Sequence, residues 1–426
     1  MTDINYDKYV TSEGLKILNF YDPDTKRFGI EFVTKASTSV NPIGKAGLAH
    51  FAEHMLLKHT ENYPDEIEFA KAFEKIGANH GASTYPFKTT VHIQGGAVDF
   101  REIVDLLYQS IAKFRLTKKA VEAERKVIEK EIIRKLSNEH SLAYELLNTI
   151  MFENSTLELG NLGRKETIAS INSKDIKNFV ENNYLTSNSI IVVWGGVKSK
   201  RVFDTIENKF SFLKNKKWLD PKFEFKRKDS IVISRRKSDQ VTFHLGFRLP
   251  NNPDQLYKTT LLRKILCSGY SSRLVNRLRV KESLIYGWGA HSSSSDDKAG
   301  IYFEFSTAKE NFYDILDIIS QEIILLKSDG IDGIELEHQK NRIIKPFQWN
   351  MERVGDYADW YSDQELFWPN NIENPDEYVR KINSVTEKEI ISHANKYLNS
   401  QNWYISVVGD VNPKAKAKLQ RLLQFE

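Results

Sequence analysis

The stretch SINSKDIKNFVENNYLTSNSIIVVWGGV, from Ser170 to Val197, has a counterpart in INSVTEKEIISHANKYLNSQNWYISVVGDV, from Ile382 to Val411. Each reads as an amphipathic helix with a tyrosine at its end, an apolar strand, then a glycine turn into a further helix. Gly195 and Gly409 lie 214 positions apart, and so do Ile176 and Ile390. The beginnings keep the same offset, since RFGIEFVTKAS from Arg27 answers VTFHLGFRLPN from Val241. An offset so close to half of the 426-residue chain marks a tandem duplication of one large unit, not a short-period solenoid.

Each unit mixes short strands with long helices. In the first, LKILNFY and FGIEFVTK flank the turn residues Asp22-Pro23-Asp24 and read as a hairpin. Two helices follow, over about 46–58 and 65–76, then a strand pair in GASTYPFKTTVHIQG and a long helix from about 118 to 150. This alternation predicts an α+β fold of two tandem, homologous α/β sandwich units, each an antiparallel sheet with helices packed on one face. The polar, basic segment from Phe212 to Ser230 is the expected linker, which sets the units at 1–222 and 223–426.

Composition bounds the function. With 40% hydrophobic and 28% charged residues the chain is an ordinary globular protein, long enough for two cores. A net charge of +4, with basic and acidic residues interspersed, argues against nucleic acid or a membrane surface as partner. The single cysteine, Cys267, excludes an intrachain disulfide framework and a cysteine-rich metal site. The N-terminal MTDINYDKYV has neither the apolar core of a secretory signal nor the arginines of a transit peptide. No run of about 18 apolar residues occurs, so the expected location is cytoplasmic.

Chemistry concentrates in GLAHFAEHMLLKHT, Gly47 to Thr60, which holds three of the 10 histidines. On a helix His50 and His54, four apart, lie on one face, and Glu53 shares it. Two imidazoles so spaced can grip one metal ion, with a carboxylate in reach of a water on that ion. HxxEH reverses the zincin order HExxH, with the same geometric logic. A third ligand is needed, with a fourth position left open. Downstream, AVEAERKVIEKEIIRK places Glu124 and Glu131 seven apart on one helix face, Glu131 being 77 positions beyond His54. In the second unit the same offset puts Lys264, Cys267 and Ser268 at the motif positions, which cannot repeat the site.

In these motifs the chain resembles the inverzincin metallopeptidases of the pitrilysin/insulinase family. The resemblance implies that His50, His54 and Glu131 bind one Zn2+ per chain, that Glu53 is the general base, and that Glu124 orients a ligand. SSRLVNRLRVKESLIYGWGA, from Ser271, resembles the family's SRL…LRexxGLaY segment. That likeness gives Arg279 and Tyr286 the task of holding the substrate carbonyl and its oxyanion. It also implies a sheet edge at Ala82, Ser83 and Thr84 to which a substrate peptide adds by backbone pairing. Two positions depart from the family: Gly81 stands where an asparagine is usual, and His59 where a glycine is frequent. His80, His92, His244 and His291 have no ligand spacing and receive no role. The family encloses its substrate in a clamshell of four such units. With two here, the implied assembly is a homodimer, or a heterodimer with a related chain. The implied activity is zinc-dependent endopeptidase action on short or unfolded peptides, with two alternatives: one subunit of a heterodimeric peptide-processing protease, or a non-catalytic relative acting as partner or scaffold.

Overall fold

The computed structural model describes residues 6–225, 227–293 and 299–426, so the first five residues of the N-terminal stretch lie outside it. The chain forms two compact units. The first comprises residues 1–132, 159–222 and 348–375, the second 133–158, 223–347 and 376–426. The changeover at 222 falls inside the basic connecting segment, and each unit also receives a segment from the other half of the sequence.

The first unit holds β1 (Asp7–Val10), β2 (Lys16–Tyr21), β3 (Arg27–Thr34), β4 (Asn79–Thr84), β5 (Thr89–Gly96) and β6 (Ser189–Gly195). Their order in the sheet is β1-β2-β6-β3-β5-β4. The second unit holds β7 (Ile231–Arg235), β8 (Gln240–Arg248), β9 (Ile285–Ser293), β10 (Gly300–Ala308) and β11 (Trp403–Gly409), in the order β7-β11-β8-β10-β9. Apart from β1 the two orders correspond strand for strand. The helices Ser173–Asn183 and Glu387–Tyr397 start 214 positions apart, as do β6 and β11.

The hairpin expected of β2 and β3 does not form. β6 lies between them, parallel to β2 and antiparallel to β3. β6, SIIVVWG, is buried along nearly its whole length, and a strand apolar on both faces belongs at the centre of a sheet. β11 does the same between β7 and β8. The long helix expected from 118 to 150 is also divided, into Lys118–Ser137 and Glu139–Met151. Asn138 breaks it: its backbone is extended and its side chain accepts from the Ser141 N–H as an N-cap.

In β3, Phe28, Ile30 and Phe32 alternate onto the face that carries the helices Leu48–Leu56, Phe100–Ala112 and Ser173–Asn183. Each such fully buried side chain contributes about 2 kcal/mol. The opposite face is covered as well. Leu18, Phe20, Val33, Ile190 and Val192 meet Tyr357, Tyr361 and Leu366 of the helix Val354–Phe367. In the second unit Glu139–Met151 packs on β8 and β11.

The second core contains a titratable group with a measurable signature. His393 is 4% exposed and its Nε2 lies 3.0 Å from Thr259 Oγ1. Burial, then the Lys258 and Lys396 ammonium groups, push its pKa down to about 4. The unfolded value is about 6.5, so on acidification the unfolded chain takes up a proton that the folded chain refuses. Stability present above about pH 6.5 is therefore lost as pH falls towards 4, by about 2 kcal/mol between pH 7 and pH 5. Urea unfolding at both pH values should show the difference between wild type and His393→Gln shifting by that amount. A difference independent of pH would contradict this assignment.

Candidate metal centre

The helix Leu48–Leu56 is amphipathic, with Ala49, Phe51, Ala52, Met55 and Leu56 fully buried beneath it. Its first turn is held by Asn41, whose Oδ1 accepts from the Ala49 N–H at 2.9 Å. That packing leaves His50, Glu53 and His54 on one face, as the i, i+3, i+4 spacing requires. The helix Lys118–Ser137 buries Val121, Glu124, Ile128 and Ile132 at steps of three and four, and this stripe carries Glu124 inward.

His50 Nε2 and His54 Nε2 lie 3.2 Å apart. Glu131 Oε2 is 3.7 Å from His54 Nε2 and 4.0 Å from His50 Nε2. Donors bound tetrahedrally at about 2.1 Å from one ion sit about 3.4 Å from each other, so two imidazoles and this carboxylate suit a zinc-type cation. His54 Nδ1 faces Glu124 Oε1 at 2.6 Å, which turns its Nε2 towards the other two donors. Glu124 Oε2 is in turn 3.3 Å from Lys58 Nζ. Burial opposes ionisation of Glu124, but the His54 hydrogen bond and Lys58 outweigh it and hold its carboxyl below the usual range. Burial likewise disfavours the His54 imidazolium, yet the bond to Glu124 and the charges of Glu53, Glu124 and Glu131 raise its pKa.

Glu53 is 9% exposed, and its Oε2 stands 4.0 Å from His50 Nε2 and accepts from Thr84 Oγ1 at 3.1 Å. Burial raises its pKa, with His54 and Thr84 pulling the other way. A carboxyl raised in this way holds a proton more readily than an ordinary carboxylate, as a group that shuttles protons must.

β4 is a sheet edge, paired with β5 alone. Ala82, Ser83 and Thr84 lie on it, but the Thr84 carbonyl already accepts from Asn161 Nδ2 at 2.7 Å. Gly81 is opposite His92 in this pairing, and a Cβ there would come within 2.8 Å of the imidazole, so a side chain at this position would have to displace that ring. His59 Nδ1 lies 3.0 Å from the Pro64 carbonyl, beyond the end of the motif helix. Lys58, Asn161 and the Thr84 hydroxyl were not legible as site residues, because each acts through a partner far away in sequence. Tyr184 is a further one. Its buried hydroxyl has no hydrogen-bond partner among the described residues, and burial and the Glu53 charge raise its pKa.

Arg279 and Tyr286 belong to the second unit. Arg279 sits in the π-helical turn Asn276–Lys281, and its Nη1 donates to the Ile285 carbonyl at 3.3 Å. Tyr286, next along β9, is 58% exposed. The two side chains are thus presented at one patch of that unit. The π-helical turn closes with the Leu284 N–H donating to the Leu278 carbonyl at 2.7 Å, and the residue between turn and strand, Ser283, is left-handed, φ 53°. The family pattern has glycine there. Ser283→Gly should stabilise the second unit by about 1 kcal/mol, read by urea unfolding, because the penalty on a Cβ in that conformation disappears. A destabilised variant would contradict the strain. At the positions equivalent to the metal motif, Cys267 is buried and its thiol is pushed up to about 12, chiefly by burial, which leaves it a packing residue. Among the described residues no helix is long and apolar enough to cross a membrane.

Residues 39–164 match the family model described as insulinase (peptidase family M16), and residues 170–343 match that of the peptidase M16 inactive domain. A protein of Rickettsia felis named an uncharacterized zinc protease is 25% identical over 408 residues, covering 93% of this chain and 96% of its own. The mitochondrial-processing peptidase subunit beta of Neurospora crassa is 22% identical over 435 residues, with 96% and 89% covered. The solved structure of a peptidase M16 inactive domain from Pseudomonas fluorescens aligns with a TM-score of 0.87 at 19% identity. It covers 96% of this chain and 99% of that one, a likeness of fold.

Proposed function

The chain belongs to the insulinase family of zinc proteases, peptidase family M16, and from that premise we propose that it is a zinc-dependent endopeptidase. In this reading His50, His54 and Glu131 hold one zinc ion, Glu53 is the general base and Glu124 orients His54. The observation that carries it is the convergence of His50 Nε2, His54 Nε2 and Glu131 Oε2 within 4.0 Å, beside the buried Glu53 carboxylate. Zinc bound there supplies a Lewis acid for the scissile carbonyl and acidifies the attacking water.

The chain's own residues do the rest. The free edge of β4 pairs with the substrate backbone at Ala82, whose N–H and C=O face away from β5, while Ser83 stays paired with Thr90 and Asn161 keeps the Thr84 carbonyl. Glu53, steadied by the Thr84 hydroxyl, takes the proton of the attacking water on Oε2 and passes it to the leaving amine nitrogen. Tyr286 and Arg279 donate to the oxyanion. In a homodimer that pair would come from the partner copy, and a closed chamber would admit short or unfolded peptides only. A cytoplasmic location agrees with the lone, buried Cys267.

Cleavage of a mixed peptide library by the purified chain tests the reading. It should stop with a chelator and return with zinc. No cleavage at saturating zinc would overturn it for the chain acting alone. A second reading, one subunit of a heterodimeric processing peptidase, is favoured by the likeness to a processing-peptidase subunit over nearly the whole chain. Mixing Glu53→Gln chains with Arg279→Ala chains separates the two. A homodimer with shared sites regains about a quarter of wild-type activity, since half of the dimers are hybrids with one intact site. With subunit exchange shown independently, no recovery rules that arrangement out.

A further inference from the structure

The second unit gathers a separate set of donors. His244 on β8 and Glu304 on β10 are directly opposite each other in the antiparallel pairing. His140, at the start of the helix Glu139–Met151, faces the same pair. His244 Nε2 lies 3.5 Å and His140 Nδ1 3.8 Å from the same atom, Glu304 Oε2, and the three donor atoms fall within 4.8 Å of one another. The two nitrogen–carboxylate distances are close to the separation of about 3.4 Å between tetrahedral ligands of one cation.

Two further observations point to a ligand. His244 is 2% exposed, and neither ring nitrogen has a hydrogen-bond partner among the described residues. A buried imidazole normally uses at least one nitrogen, and metal coordination satisfies it as well as a hydrogen bond does. His140 is oriented for the purpose. Its Nε2 lies 2.8 Å from Ser306 Oγ, itself 3.1 Å from Thr242 Oγ1, so that Nδ1 is the nitrogen turned to Glu304. Opposite Glu304 on β9 stands Gly289, and a Cβ there would come within 1.8 Å of Glu304 Oε1, so the glycine makes room for the carboxylate. His140 and Glu304 are partly exposed, which leaves a path for an ion and a place for a water in the fourth position.

We propose that His140, His244 and Glu304 form a second binding site, for a divalent first-row transition ion with zinc favoured by the His2Glu donor set, which ties the start of the helix Glu139–Met151 to the sheet of the second unit. The site shares no residue with the HxxEH centre and does not depend on its role in catalysis.

Equilibrium dialysis of the full chain against zinc chloride tests it. Wild type should hold two zinc ions, Glu304→Gln and His140→Gln one each, and His54→Ala one. His54→Ala combined with Glu304→Gln should hold none. Zinc should raise the melting temperature of His54→Ala and leave His54→Ala/His140→Gln unmoved. Should the Glu304 variants fail to fold, the half-exposed His140 position answers the same question. Wild type and Glu304→Gln holding equal zinc, with no zinc-induced shift that His140→Gln abolishes, would overturn the proposal. Because Glu304→Gln is compared with wild type directly, the outcome is separate from whether the HxxEH residues hold zinc.

Discussion

Glu53→Gln should lower peptide hydrolysis by about 100-fold or more while zinc and peptide remain bound. The substitution keeps the size of the side chain, and the amide oxygen can still accept from Thr84 Oγ1, now 3.1 Å from the carboxylate. What it removes is the capacity to take a proton. At 9% exposure the position is nearly closed to solvent, so a bulk base has poor access to the water that Glu53 would activate. The measurement is hydrolysis of a fixed peptide at saturating zinc, with zinc content assayed on the same sample. Near-normal turnover would mean that another group activates the water.

His54→Ala is expected to lose its zinc at the HxxEH centre, with affinity falling about 100-fold or more. His54 is the hub of the site: its Nε2 is 3.2 Å from His50 Nε2 and 3.7 Å from Glu131 Oε2, and its Nδ1 is 2.6 Å from Glu124. Removing it leaves two donors, and it leaves the buried Glu124 carboxylate with Lys58 as its remaining partner at the site. Glu131→Gln should lose zinc too, with less effect on folding, because Glu131 is partly exposed. Zinc content of the purified variants decides the matter. Both variants keeping the wild-type zinc content would sink the ligand assignment.

Some of this molecule was open to reading from the chain alone. The repeat offset of 214 positions survives in the structure as helices and strands with that spacing, because a duplication copies local pattern, and local pattern determines where helices and strands begin. HxxEH is local in the same sense. Any α-helix puts positions i, i+3 and i+4 on one face, so His50, Glu53 and His54 had to meet once the helix formed. Family likeness then supplied Glu131 and Glu124, which helical periodicity alone left as two acids on one stripe.

Tertiary structure decided the remainder. The hairpin expected of β2 and β3 yielded to β6, which comes from about 160 residues further on and can be placed only by completing the sheet. Adjacent strands in sequence usually pair, but a strand apolar on both faces gains most at the centre. Thr84 beside Glu53, Lys58 beside Glu124 and Asn161 on the Thr84 carbonyl follow from packing between elements, which leaves no periodic trace. His244 received no role from its spacing, yet a cross-strand register and one helix turn bring it to Glu304 and His140. Within one helix the geometry of the backbone brings side chains together. Between distant segments only sheet register and core packing do, and these are settled by the burial of the whole unit.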